Sequence, residues 1–282
     1  MKKILVPCDF SKQSQEAFKM AVDIAVKTKG EIVVLHAIYV PAVYNPGVGG
    51  EVSLAADPVF LSNTEEDAKK WFEKMKQEVK SPGVETRLEI VYGDILSVIT
   101  SAIETTKTDL VVMGTSGTSG LREIFIGSNT EKVVRHSSVP VLTVHTASRI
   151  DSMKKILLPS TLMLDQTDFM NKVKELQKFL HATLYVLFIN TPDHFVQDSE
   201  AQRGFEKFVK HYNIKNCIFL FKNYQDEEKG IMDVARNEEP GLIVMATHAR
   251  KGLAHLFNRS ITENLVNHIR YPVWTYGMKK SH

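Results

Sequence analysis

The residues most able to do chemistry lie in one run, Asp109 to Thr143. Gly114, Gly117 and Gly120 follow an apolar stretch, Leu110 to Met113, and Gly127-Ser128 opens a helical pattern. Glycines let the backbone approach a ligand with no Cβ in the way. The first amides of a helix have no partner inside it, and its dipole favours negative charge there. A strand, a glycine loop and a helix start, in that order, can therefore hold a phosphate. Ser128 adds a hydroxyl that can donate to it. The run predicts a nucleotide site. It is not a Gly-Lys-Ser/Thr phosphate loop, nor the dinucleotide fingerprint, which follows a first strand rather than a fourth.

Other elements must position this run. Lys3 to Val6 reads as a strand, and Ile32 to Ile38 as a continuous apolar strand of a sheet covered on both faces. Ser11 to Lys27 carries Ala17, Met20, Ala21, Ile24 and Ala25 at helical spacing, with Ser11 as N-cap and Gly30 ending the helix. Pro41 to Pro58 reads as a loop, and Thr64 to Val79 as a helix with Trp71, Phe72 and Met75 turned inward. A strand over Glu85 to Tyr92 and a helix over Ile95 to Thr105, capped by Asp94, complete the half. Alternating strands and helices predict an α/β fold with an open, doubly wound parallel sheet. Ligands on such sheets bind beyond the C-terminal ends of the strands, where strand order reverses. Asp9, Ala37 and Gly114 all stand at that end, so one cleft can hold them.

The pattern then repeats. Met1 to Pro7 (MKKILVP) returns as Met153 to Pro159 (MKKILLP), and Leu110 to Thr115 (LVVMGT) as Leu242 to Thr247 (LIVMAT). Thr130-Glu131, His136 and Val139-Pro140-Val141 match Thr262-Glu263, His268 and Tyr271-Pro272-Val273. Collinear matches at both ends of each half indicate duplication of a whole domain. The expected domains are 1–148 and 152–282, each with an open five-stranded parallel sheet and helices on both faces. The first half carries an insertion after its second strand.

Composition narrows the function. The 282 residues are 43% hydrophobic and 24% charged, with a formal net charge of +2. A nucleic-acid binder is expected to be strongly basic, and no apolar run approaches the ~20 residues that span a bilayer. Two cysteines, Cys8 and Cys217, make no disulfide framework. A cytoplasmic protein with free thiols is expected, with neither nucleic acid nor membrane as partner. His248, His255 and Cys217 include no close-set ligand pair, so no metal site is expected. No paired carboxylates or placeable triad indicate an enzyme. Cys8 reads as a small buried thiol and His36 as a satisfied core histidine.

The glycine spacing G-x2-G-x9-G-S, here Gly114, Gly117, Gly127 and Ser128, resembles the nucleotide-binding members of the universal stress protein family. So do the flanking words VVMGTSG and IGSNTEKVVRHSSVPVL and the opening ILVPCDFS. The resemblance covers both halves and is to the tandem class. It implies a Rossmann-like fold of the adenine nucleotide alpha-hydrolase type and a nucleotide-dependent stress-response or signalling role. It implies ATP or AMP as ligand. Mg²⁺ can accompany a triphosphate, and with no Walker-type lysine or water-positioning residue in the sequence, slow hydrolysis at most is expected. By position, Asp9, with Pro7 and Cys8 beside it, would contact the nucleoside, and Ala37 would offer backbone to the base. Met113, Gly114, Gly117, Gly127, Ser128 and Asn129 would hold the phosphate end. A carboxylate suits this role because it can accept from both vicinal ribose hydroxyls. Family members pair through their fifth strands, which implies an intramolecular pseudo-dimer here, a possible homodimer and unidentified protein partners. Two other readings stand beside it. One is an ATP-using enzyme of the related alpha-hydrolase type, disfavoured because Pro7 to Ser11 offers no glycine-rich loop. The other is an interaction module without nucleotide.

The second half departs from the motif. Thr161, Ala246, Ala249 and Arg259 replace Asp9, Gly114, Gly117 and Gly127, and only Ser260 persists. Loss of the site is expected there. A changed anion site on Arg250, Lys251 and Arg259 is the alternative.

Overall fold

A computed structural model describes residues 1–39, 42–44, 52–54, 58–80, 83–115, 128–145, 148–247 and 269–277. The chain divides into two compact units, Met1–Gly114 and Thr115–His282.

The first unit runs β1 (Lys3–Pro7), α1 (Lys12–Thr28), β2 (Glu31–Ile38), β3 (Ala42–Tyr44), β4 (Val52–Leu54), α2 (Pro58–Val79), β5 (Thr86–Tyr92), α3 (Ile95–Thr105) and β6 (Leu110–Gly114). Its main sheet is parallel, in the order β6-β1-β2-β5. The chain winds outward from β1 to β5 and then crosses back to β6 on the other side of β1. Strand order therefore reverses between β1 and β6. Neighbouring residues of a strand face opposite sides, yet Ile4, Leu5 and Val6 are all fully buried, as are Ile32 to Leu35. Helices cover both faces. Ser11 caps α1, its side chain accepting from the Ser14 amide, and Asp94 caps α3 in the same way. The C-cap of α1 is Lys29, in the left-handed conformation, and Gly30 follows it.

Two details of this unit differ from expectation. Within Pro41 to Pro58, read as a loop, β3 and β4 pair as a small antiparallel sheet, and Pro58 already opens α2. Trp71 is 50% exposed, whereas Ala68, Phe72 and Met75 are buried. Residues four and three apart share a helix face, and Trp71 lies beside that stripe. Lys74 Nζ sits 5.1 Å over its ring instead.

The second unit contains α4 (Ser128–His136), β7 (Val141–Val144), β8 (Lys155–Pro159), α5 (Thr167–Leu180), β9 (Thr183–Asn190), α6 (Asp198–Tyr212), β10 (Cys217–Asn223), α7 (Glu227–Glu238), β11 (Leu242–Ala246) and β12 (Val273–Tyr276). Its sheet order is β10-β9-β8-β11-β12-β7. The first five strands are parallel, and β7 joins β12 antiparallel, with Thr143 opposite Val273 and Val141 opposite Thr275. The hydroxyls of Thr143 and Thr275 donate to Val273 O (3.2 Å) and Val141 O (3.3 Å) across the seam. β7, which closes the expected first domain, falls in the second compact unit.

The repeat is visible at the level of single hydrogen bonds. Cys8 N donates to Leu35 O (2.9 Å) and Ser160 N to Leu187 O (2.8 Å); Glu31 N donates to Lys2 O (2.7 Å) and Thr183 N to Lys154 O (2.8 Å). Phe10 and Leu162 take the same left-handed backbone, at φ 60° and 61°. The fold is thus α/β with mostly parallel sheets, as the sequence indicates.

Candidate functional site

The reversal between β1 and β6 is where a parallel sheet opens a crevice above its strands. Pro7 ends β1, Met113 and Gly114 end β6, and Asp9 follows β1 by two residues. Pro7, Cys8 and Met113 are buried, while the Asp9 carboxylate is exposed at the rim. Burial works against its charged form, but hydrogen bonds from the Ser11 hydroxyl and amide and from the Ser14 hydroxyl outweigh that and hold Asp9 below the usual carboxylate range. The Ser11 amide donates to Asp9 Oδ1 at 3.0 Å. Asp9 is therefore an ionised acceptor at neutral pH, locked in orientation by the turn that starts α1.

Ala37 offers a backbone edge. β1 ends at Pro7, opposite Leu35, so His36 to Ile38 pair only with β5. Leu35 O accepts from Cys8 N, on the β1 side. Backbone groups two residues apart on a strand point the same way. The amide and carbonyl of Ala37 thus point over the end of β1, where no strand lies opposite. Ala37 thus presents one backbone donor and one backbone acceptor on the same open edge. His36 is satisfied, as expected, with Nδ1 2.8 Å from Cys8 O, but it is half-buried at the crevice rather than in the core. Its ring lies 5.0 Å from that of Phe10.

Gly114 has a role that the motif alone does not reveal. A Cβ on it would lie 2.3 Å from Gln13 O and 2.8 Å from Ser14 N, both backbone atoms of α1. Here the glycine permits close packing of β6 against the first turn of α1. Gln13, Ser11 and Ser14 therefore belong to the architecture of the site, and the N-cap pattern at Ser11 is the one sequence signal that pointed to them. Cys8 is 5% exposed, its thiol donates to Ser14 Oγ at 3.4 Å, and burial pushes it to a higher pKa. It is a structural thiol.

The remaining motif residues belong to the second unit. Ser128 is the first residue of α4 and Asn129, exposed, is the second. Gly117 and Gly127 lie outside the described residues, as do Ala249, Arg250, Lys251, Arg259, Ser260, His248 and His255.

The second half shows what happens without Gly114. Counting back from the matched left-handed C-caps, Lys29 and His181, the start of α1 at Lys12 corresponds to Leu164, and Ser14 to Gln166. Yet α5 begins only at Thr167 and has 14 residues where α1 has 17. Ala246, 1% exposed, occupies the place of Gly114. The helix that follows β8 in this half starts three residues later than the matched start of α1. At the rim, the neutral Thr161 stands where Asp9 supplies a charge.

Comparison with known proteins agrees with this geometry. The family model described as "Universal stress protein family" matches residues 1–145 and 221–276. Universal stress protein MJ0531 of Methanocaldococcus jannaschii is 38% identical over 145 residues, 51% of this chain and 81% of that protein. MJ0577 of the same organism is 32% identical over 152 residues, 51% of this chain and 94% of that protein. A solved universal stress protein from Archaeoglobus fulgidus superposes over 98% of both chains with a TM-score of 0.74 at 16% identity, which establishes the shared fold. On the family match to both of its halves, this chain belongs to the universal stress protein family.

Proposed function

We propose that the first half binds an adenine nucleotide, ATP or AMP, and that the protein works as a nucleotide-dependent stress-response module rather than a metabolic enzyme. The observation that carries this reading is the pairing of an ionised Asp9 with the open backbone edge of Ala37 above β1. The carboxylate suits ribose hydroxyls and the backbone edge suits the purine. The sequence keeps Gly114, Gly117, Gly127, Ser128 and Asn129 of the motif that fits the phosphate end, with Met113 preceding it. Mg²⁺ accompanying a triphosphate would take its ligands chiefly from phosphate oxygens and water. Among the described residues no helix is long and apolar enough to cross a membrane, in keeping with a cytoplasmic place of work. The seam between β7 and β12 supports a pseudo-dimer within one chain, with other copies or proteins as further partners.

The test is calorimetric titration of the full chain with ATP and with AMP, repeated on Asp9→Asn. Asparagine keeps an oxygen for the Ser11 amide and removes the charge. A hydrogen bond to a charged group contributes about 1.5–3 kcal/mol, so affinity should fall by roughly 10- to 150-fold. Equal, weak binding of both nucleotides by wild type and variant would refute the assignment.

A further inference from the structure

Among the described residues of the second unit, three buried polar atoms have no hydrogen-bond partner: Thr161 Oγ1, Gln166 Nε2 and Trp274 Nε1. Gln166 and Trp274 are only 4% and 3% exposed. Native folds leave few such groups, because each lost its bonds to water when it was buried. Two of them lie at the start of α5, and the third belongs to a ring on β12 that lies near Phe169 of that helix. Thr161 and Gln166 lie in the connection from β8 to α5, and Gln166 immediately precedes the helix. It heads the buried stripe Gln166, Phe169, Met170 and Val173, and the Trp274 ring lies 6.3 Å from that of Phe169. Tyr212 fixes the backbone here. Its hydroxyl accepts from Gln166 N (2.9 Å) and donates to Met163 O (3.1 Å). The Gln166 side chain makes no cap bond to α5.

The first half has the opposite polarity at the matched positions. Asp9 offers an anionic acceptor, and the Ser14 hydroxyl has partners within its own turn, Ser11 O lying 3.0 Å away. Replacing these with Thr161 and Gln166, and omitting the first helical turn, leaves unused donors above the strand ends. Their complement is an acceptor. Asp165 and Asp168, both exposed, flank Gln166 in sequence and oppose a negative charge. A neutral acceptor satisfies both conditions.

We propose that the second unit binds a small uncharged, carbonyl-bearing molecule at the start of α5, its oxygens accepting from Thr161 Oγ1 and Gln166 Nε2 with the Trp274 indole N–H at the margin. The degenerate motif is then a site of changed specificity. This proposal does not depend on nucleotide binding by the first half.

The chain has two tryptophans, Trp71 and Trp274, so the ¹⁵N-labelled full chain gives two indole N–H signals, and Trp71→Phe assigns them. The probes are acetamide and acetate, which share a shape and differ in charge. Acetamide should move the Trp274 signal saturably while leaving Trp71 in place, and acetate should act about tenfold more weakly or not at all. Thr161→Val and Gln166→Leu should each weaken the acetamide response without lowering the unfolding midpoint, since the atoms removed have no internal partner. No saturable shift with either probe overturns the site. Acetate binding as well as acetamide overturns the uncharged ligand. A lowered midpoint in both variants overturns the argument from unpartnered donors.

Discussion

The contact between Gly114 and α1 makes a sharp prediction. In Gly114→Ala the new methyl group would sit 2.3 Å from Gln13 O, 2.4 Å from Gln13 C and 2.8 Å from Ser14 N. These are backbone atoms, so no side-chain rotation relieves the clash. In the second half, where Ala246 stands at the matched position, the helix starts three residues later. Unwinding the first turn of α1 would forfeit the Ser11 cap on Ser14 N, the bond from Gln15 N to Ser11 O and the Cys8–Ser14 contact. If the turn unwinds, loss of its N-cap costs about 1 kcal/mol; if it stays, overpacking costs about 1–3 kcal/mol; either way a destabilisation of about 1–3 kcal/mol is expected. A chain of two units need not unfold in one step, so the assay is hydrogen exchange at single amides, with urea unfolding alongside. The Gln15 amide should lose its protection while amides in β9 and β10 keep theirs. The reciprocal change, Ala246→Gly, should cost only about 0.5–1 kcal/mol, the usual penalty for glycine within a strand. Retained Gln15 protection in Gly114→Ala, with stability within about 0.5 kcal/mol of wild type, would refute the packing argument. The same contact makes Gly114 a poor probe of nucleotide binding, because larger residues there would act through α1. Asp9→Asn avoids that ambiguity.

Other predictions rest on different features. Burial, and the charge of the adjacent Asp226, push Glu227 up to about 7 from its ordinary 4.5. A folded state that holds the proton more tightly is favoured below the ordinary value and loses that advantage as pH rises through about 7. The midpoint of thermal unfolding should therefore decline across this window in wild type and decline less in Glu227→Gln, which should be the more stable protein above it. On α2, Phe72→Ala should cost about 3–5 kcal/mol as a buried aromatic truncation. Trp71→Ala should change stability by no more than about 1 kcal/mol, because it forfeits mainly an exposed cation–π contact with Lys74. Chemical denaturation of the two variants compares them directly.

Much of this protein is legible in its sequence. Continuous apolar strands alternating with helical stripes gave the α/β class. The doubled MKKIL and VM words gave the duplication, and Ser11 and Asp94 marked helix starts that the structure reproduces. These are local or periodic signals, carried by residue type and spacing along the chain. Other features depend on which surfaces meet. The sequence could not show that Trp71 faces solvent, that Pro41 to Pro58 contains a paired hairpin, or that His36 stands at the crevice. The glycine run reads as a phosphate motif, and for Gly117 and Gly127 that reading rests on spacing, since both lie outside the described residues. For Gly114, tertiary structure supplied a reason absent from the motif, the backbone of α1 lying where a side chain would be. It also tied Ala246 to a helix that starts one turn late, a dependence between residues far apart in sequence. Strand and helix propensities follow from covalent geometry and neighbours in the chain. Close approach of two backbones, the polarity of a crevice and the unpartnered donors around α5 arise only once the chain is packed.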